Sequence, residues 1–483
     1  MTLSPTIRVC GLLLFGLSVA MALTGLVDLG KPNGAATAFF QSAALCLIIA
    51  GFATLGTLRM SEAHFSLRQG FLLTVMAWLV GALASAVPFV LALPNIGYVD
   101  AFFESMSGIT TTGATVLVGL DQMPASILLW RSLLQWFGGV GFVVTGMAVL
   151  PALRVGGMQL FRTESSDRYD KMLPQAATLA GAIGRVYLVL TVLCIIAYMV
   201  AGMTPFDAIN HGMTTVATAG YSTHDASFGY FADQPAIEWV AIAFMLAGSI
   251  GFTHYIVMMR GRFSRMTSDP QVRMLFGTVI VAPILLVIAQ EISVDVPLAT
   301  AIREAVFNAV SVISTTGYVS ADYSQWSPMA VGVFFLLYFA GGCTGSTAGS
   351  VKMFRWYILA ITMNRLLMFM VSPKRVMALS YRGRPVEVDT QVSVLLFFFA
   401  FVLTILLLTL ILSIEGYDLL TCLSAASAAV SNVGPGLGSI VGPAGNFAPL
   451  SDVSKLSLSI GMMLGRLEIF TVLVLFTAAY WRR

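Results

Sequence analysis

The sequence predicts an all-α polytopic membrane protein, with two N-terminal transmembrane helices followed by four pseudo-repeated helix–pore-helix–helix units. Three observations carry this. The 483 residues are 58% hydrophobic and only 10% charged, with a mean hydropathy of +0.87. A soluble domain carries about 25% charged residues, so this chain cannot clothe an ordinary water-facing surface. Apolar runs of membrane-spanning length recur from end to end, and one short polar pattern returns four times between them. Soluble enzymes and nucleic-acid binders are excluded as readings of the whole chain.

The N-terminal apolar run over 11–23, after Arg8, imitates a signal peptide. A second run follows at 38–55, which favours an uncleaved first transmembrane helix. The layout then places outer helices near 70–93, 181–203, 272–292 and 390–414. Inner helices fall near 125–150, 236–259, 328–360 and 453–480. With the first pair (9–28 and 37–57) this makes ten spans. The corresponding division is an N-terminal two-helix extension (1–69), repeat 1 with a cytoplasmic loop (70–180), repeat 2 (181–271), repeat 3 with an intramembrane loop (272–388) and repeat 4 (389–483).

Charge fixes the expected orientation. Of the 26 Lys and Arg, 21 fall in alternate connections, including the runs around 154–185, 260–273 and 352–384. The intervening connections hold only Lys31, Arg131, Arg303 and Lys455. The positive-inside rule puts the first set, and both termini, in the cytoplasm. Fifteen of the 23 acids lie on the opposite side, an arrangement that raises the local concentration of cations there. The five cysteines (Cys10, Cys46, Cys194, Cys343, Cys422) and four histidines form no metal-ligand spacing and read as core residues.

The repeats are DAFFESMSGITTTGAT (100–115), DAINHGMTTVATAGYS (207–222), EAVFNAVSVISTTGYV (304–319) and TCLSAASAAVSNVGPG (421–436). In the first three an acid precedes a glycine by 13 residues: 113−100, 220−207 and 317−304. In the fourth that position is Thr421, with Asp418 just before it. Thirteen helical residues rise only ~20 Å, so each segment reads as a short helix dipping in from outside and an extended strand returning. Asp100, Asp207, Glu304 and Thr421 suit the N-cap or first turn, and the partially negative C-terminal end then points to the membrane centre. Non-helical backbone at that depth must be buried in protein or line a watery cavity. Four such strands about one axis present rings of carbonyl oxygens that replace the hydration shell of a monovalent cation, and so define a central ion pathway.

Two irregularities lie lower down. GGCTGSTAGS (341–350) sets Gly341, Gly342, Gly345 and Gly349 inside an apolar helix, each costing ~1 kcal/mol against Ala, which points to a flexible or unwound segment. Arg466 falls mid-membrane, where an unaccompanied Arg costs at least ~2.5 kcal/mol. Glu468 is too near in sequence to share its direction, so Arg466 must find water, a carbonyl, or an acceptor elsewhere. The structural alternative is an ion pair with Glu468 of a neighbouring subunit.

With FFESMSGITTTGAT, LLQWFGGVGF, VGGMQL, STHDASFGYF, GGCTGSTAGS, SNVGPGLG and GRLEIFTVLVLFT in view, the chain resembles the Trk/Ktr/HKT superfamily of potassium transporters over nearly its whole length. The resemblance implies a potassium-binding filter at Thr111, Thr112 and Gly113; Thr218, Ala219 and Gly220; Thr315, Thr316 and Gly317; and Asn432, Val433 and Gly434. It implies a gate of Gly341, Gly342, Gly345 and Gly349 with Arg466, and no metal other than potassium. It further implies a homodimer in the bacterial inner membrane, docked through basic inner loops on a cytosolic ring of nucleotide-binding regulatory subunits, with Rb+ and Na+ as other candidate cargo. The chain has neither GxxxxGK[ST] nor a strand-borne GxGxxG, so a nucleotide acts on that partner and no cofactor is expected here. Ala219 stands where relatives suggest glycine, and one glycine per repeat implies modest K+/Na+ selectivity. A sodium- or proton-coupled symporter is the alternative, with Glu468 as its candidate intramembrane carboxylate. An enzyme would need a nucleophile–base or metal constellation that the sequence does not supply.

Overall fold

The computed structural model describes residues 3–57, 66–145, 172–259, 261, 264–291, 296–374 and 378–482. The motif VGGMQL (155–160) lies outside the described residues, as do nine of the basic residues that fixed the expected orientation: Arg59, Arg154, Arg162, Arg168, Lys171, Arg260, Arg262, Arg375 and Arg483.

The first two helices, Ser4–Gly25 and Ala35–Leu55, form an antiparallel pair. Gly11 lets the start of one approach Thr54 near the end of the other, and Gly25 meets Phe39 at the opposite end. Four units follow. Unit 1 has an outer helix Leu67–Ala92, a short helix Tyr98–Ile109 and an inner helix Ala125–Val144. Unit 2 has Met172–Val200, Pro205–Val216 and an inner helix in two pieces, Pro235–Ser249 and Phe252–Met258. Unit 3 has Pro270–Glu291, Leu298–Ile313 and inner pieces Pro328–Leu337 and Met353–Val371. Unit 4 has Val388–Ile414, Leu419–Ser431 and Asp452–Arg466, then a sharp turn into Phe470–Leu473. Among the described residues, eight helices are long and apolar enough to cross a membrane, and ten spans result if each bent pair counts once.

Burial runs opposite to that of a soluble protein. The outer helix of unit 4 exposes Leu395, Phe399, Leu403, Leu406 and Leu410, whereas the Ser- and Ala-rich short helix behind it is buried from Cys422 through Ser431, apart from half-buried Leu423. Lipid is the solvent for the outside, and polar side chains and backbone turn inward.

The short helices begin close to where expected. Asp100 and Asp207 occupy the first turn, Thr204 caps unit 2, and Asp418 caps unit 4 by accepting from the Thr421 N–H at 3.1 Å. Glu304 departs from the expectation. Its helix starts at Leu298, so Glu304 lies in the second turn and accepts from Gln290 Nε2 at 2.9 Å.

The inner helices of units 2 and 4 also depart from the expected continuous spans, whereas the break in unit 3 was expected. Unit 2 bends by 92° at Ile250 and Gly251, and unit 4 by 104° past Arg466. In unit 3 the helix is unwound between Leu337 and Met353. These breaks satisfy one another. Cys343 and Thr347 N–H donate to the Ser249 and Gly248 carbonyls freed in unit 2, and Phe252 N–H donates back to the Gly345 carbonyl at 2.9 Å. Backbone groups released from one helix are thereby paired by the next, which is the condition for irregular chain at this depth. A two-stranded hairpin, Ser380–Tyr381 with Arg384–Pro385, was not expected. Its Tyr381 hydroxyl donates to Asp269, which also receives His254 Nε2 at 2.9 Å.

Candidate ion pathway

Each short helix ends in the same way. The residue after its last turn takes a left-handed conformation: Thr111 (φ 54°), Thr218 (50°), Thr315 (57°) and Asn432 (54°). The next N–H reaches back five residues, from Thr112 to Ser107, Ala219 to Thr214, Thr316 to Ser311 and Val433 to Ala428, at 2.8–3.0 Å. This is the Schellman termination, ordinarily made by glycine. β-branched threonine there is a strained outlier, of a kind concentrated at functional sites. Two residues later Gly113, Gly220, Gly317 and Gly434 again have positive φ, 81–101°.

The four strands meet in cyclic order. A Cβ on Gly113 would strike the Ala219 carbonyl oxygen, one on Gly220 the Thr316 oxygen, and one on Gly317 the Val433 oxygen. A Cβ on Gly434 would lie 2.9 Å from the Thr112 oxygen. Each glycine thus makes room for the carbonyl of the following unit, and the last closes on the first. The Asn432 amide spans that closing joint, donating to Thr112 Oγ1 and the Met462 carbonyl, both at 2.9 Å. All twelve residues expected at the filter are brought together at this ring.

Outside it lies a vestibule of about 80 Å³, bordered by Gly113, Gly220, Gly317, Pro435, His224 and Asp225. Behind unit 1, Arg131 Nε donates to Glu104 Oε1 at 2.8 Å and its Nη1 to the Ser222 carbonyl at 2.8 Å, with the guanidinium 4.0 Å over the Tyr221 ring. Both charges are fully buried. The outer face is therefore less free in its negative charge than the sequence suggests. All four outer cations are paired: Lys31 with Asp28, Arg131 with Glu104, Arg303 with Glu238 and Lys455 with Asp100.

The segment 341–349 lies below the ring and is buried throughout. It is unwound as expected, and held by hydrogen bonds to the strands above. Thr218 Oγ1 donates to Thr347 Oγ1 at 3.0 Å, and Gly349 N–H donates to Thr315 Oγ1 at 2.6 Å. Close packing also selects its glycines: a Cβ on Gly349 would lie 2.7 Å from the Ser431 carbonyl oxygen. Arg466 finds a carbonyl, with Nη1 donating to Thr347 at 2.9 Å and the guanidinium 3.9 Å over Phe142. Lys352 shares the Phe142 face at 4.8 Å and bonds the Ala348 carbonyl. Glu468, the alternative partner considered for Arg466, is paired with Arg355 of its own chain.

Sequence reasoning missed Arg131, Gln135, Phe142 and Lys352. It also missed a register that was available to it. Inner-helix glycines Gly138, Gly248 and Gly465 pack beneath the Ile109, Val216 and Val430 carbonyls, each four residues before a ring glycine.

A family model described as "TrkH, cation transport protein" matches residues 35–483. The Trk system potassium uptake protein TrkI of Halomonas elongata is 42% identical over 480 residues, 99% of this chain and 97% of that protein. The Trk system potassium uptake protein TrkH of Escherichia coli K12 is 38% identical over 483 residues, 98% of each. The crystal structure of the potassium transporter TrkH from Vibrio parahaemolyticus superimposes with a TM-score of 0.91 at 36% identity, covering 100% of both chains. The resemblance read from the motifs is thus met by a family match, by relatives and by a shared three-dimensional structure. The chain belongs to the TrkH family of cation transport proteins and is a multi-pass membrane transporter, not an enzyme.

Proposed function

We propose that the chain conducts K+ into the cell along the axis of the four strands, as the membrane subunit of a potassium uptake system. The observation that carries this is the cyclic contact of Gly113, Gly220, Gly317 and Gly434 with the carbonyls of Ala219, Thr316, Val433 and Thr112. Four similar turns at unrelated places would have no reason to close into a ring. In this reading Thr111–Gly113 and its three counterparts form the filter, with peptide oxygens standing in for water around a dehydrated ion. Carboxylates outnumber Lys and Arg by 15 to four in the connections on this side, which draws cations toward the vestibule from outside.

Gly341, Gly342, Gly345 and Gly349 form the gate with Arg466. The loop closes the path beneath the filter, and the fixed positive charge opposes cations until the loop moves. The five-part division of the chain, the bacterial inner membrane, cytoplasmic termini, a homodimer and a cytosolic ring of nucleotide-binding regulators complete the proposal. The names of the relatives, potassium uptake proteins of Trk systems, support the cargo. Rb+ is expected to follow K+, and Na+ to pass less well. Coupled symport through Glu468 finds no support, since that carboxylate is paired with Arg355.

The test is permeation by the purified chain in liposomes. Gly113→Ser and Gly317→Ser each fill the space of a neighbouring carbonyl and are expected to change the K+/Na+ permeability ratio. Unchanged ratios in both would remove the filter assignment.

A further inference from the structure

We propose that Gln135 is a positioning residue that sets the ring's cation preference by pinning one of its four carbonyls, a role that rests on the filter reading above. Gln135 is fully buried on the inner helix of unit 1. Its Nε2 donates to the Ala219 carbonyl at 2.5 Å, and its Oε1 accepts from the Tyr221 N–H at 3.0 Å. The pair of bonds fixes the amide's orientation, because the flipped form sets donor against donor and acceptor against acceptor. One side chain therefore holds the second strand on both sides of Gly220.

No other ring carbonyl is held this way. Among the described residues, the Thr112, Thr316 and Val433 oxygens receive no hydrogen bond from a side chain. The inner-helix register explains the difference. Gln135 lies three residues before Gly138, and the matching positions before Gly248 and Gly465 are Met245 and Met462, both fully buried. Methionine has no N–H or O–H to give. The ring is thus close to fourfold in backbone and uneven in what stands behind it.

The consequence follows from ion size. A carbonyl ring accommodates Na+ only by drawing inward around a smaller ion. An oxygen tethered from behind cannot follow, and one that shares its lone pairs with an N–H offers a weaker field. Both effects favour the larger K+.

The substitution Gln135→Met makes unit 1 match units 2 and 4, and is measured beside Gly317→Ser in liposomes bearing the full chain. The K+/Na+ permeability ratio of Gln135→Met is expected to fall about threefold, the scale that one net hydrogen bond carries, while K+ flux persists. An unchanged ratio in Gln135→Met with an altered ratio in Gly317→Ser overturns the tether and leaves the filter standing. Unchanged ratios in both overturn the tether and the filter together. A purely structural role lowers thermal stability without moving the ratio, and that result also overturns the proposal. If Gln135→Met does not fold, Gln135→Leu, which likewise has no donor for Ala219 and brings no charge, is judged by the same ratios.

Discussion

Arg466 fastens the inner helix of unit 4 to the unwound segment of unit 3 by donating to the Thr347 carbonyl at 2.9 Å. Its side chain is buried, and Nε and Nη2 have no hydrogen-bond partner among the described residues. The remaining compensation comes from the Phe142 face, worth about 2 kcal/mol for a desolvated cation. A guanidinium so thinly satisfied at membrane depth fits a charge kept for its effect on passing ions. Arg466→Ala is therefore expected to raise K+ flux through the purified chain. A lower or unaltered flux in a well-folded variant removes Arg466 from the gate.

The Glu104–Arg131 pair makes a separate claim about stability. Both groups are dry, and Glu104 also accepts from the Thr115 hydroxyl and the Val116 N–H at 3.0 Å. Removing one partner strands the other, which costs roughly 3–5 kcal/mol in buried pairs. Glu104→Gln and Arg131→Met should each lower the unfolding transition in detergent strongly, and the double variant by clearly less than their sum. Strict additivity would mean that the two charges do not support each other.

His224 makes the outer loops pH-sensitive. Its Nδ1 lies 2.5 Å from Asp121 Oδ1 and its Nε2 3.5 Å from Asp207 Oδ1, with the ring stacked on Tyr230 and Phe231 edge-on. Burial by itself disfavours the imidazolium, but hydrogen bonds and charge from Asp207 and Asp121 prevail and raise its pKa above the ordinary value near 6.5. A raised folded-state pKa gives stabilisation that is complete below about pH 6.5 and is lost as the pH rises through the folded value. Asp225, whose N–H lies 3.3 Å from Asp121 Oδ2, completes the charged surroundings. The protein should melt higher near pH 6 than near pH 8, and His224→Asn should shrink that difference. An equal difference in the variant would place the pH sensitivity elsewhere.

Much of this was legible in the sequence because the repeats carry their own register. The acid-to-glycine interval located three of the four strands. The fourth, where Thr421 stands in place of the acid, joins them structurally: its Asn432 adopts the same left-handed turn as Thr111, Thr218 and Thr315. The clustered glycines of 341–349 correctly foretold an unwound segment. The breaks in units 2 and 4 were not legible. Ser249 to Phe252 and Arg466 to Phe470 read as apolar helix. The first interruption is tolerable because the unwound segment pairs its backbone groups, and the second is tied to that segment through the Arg466 side chain. Glu304 was misplaced because its helix gains six residues at the N-terminus with no polar cap to announce them. Arg131 and Gln135 escaped notice because their partners, Ser222, Ala219 and Tyr221, lie more than 80 residues away.

The central claim is that an alkali cation rests among the Thr112, Ala219, Thr316 and Val433 carbonyls. Anomalous diffraction from crystals grown with Rb+ or Tl+ tests it most directly. The account predicts a peak on the axis between these four oxygens, weakened when K+ is added in excess. Ordered cation density elsewhere in the protein, with none between the four strands, would contradict it.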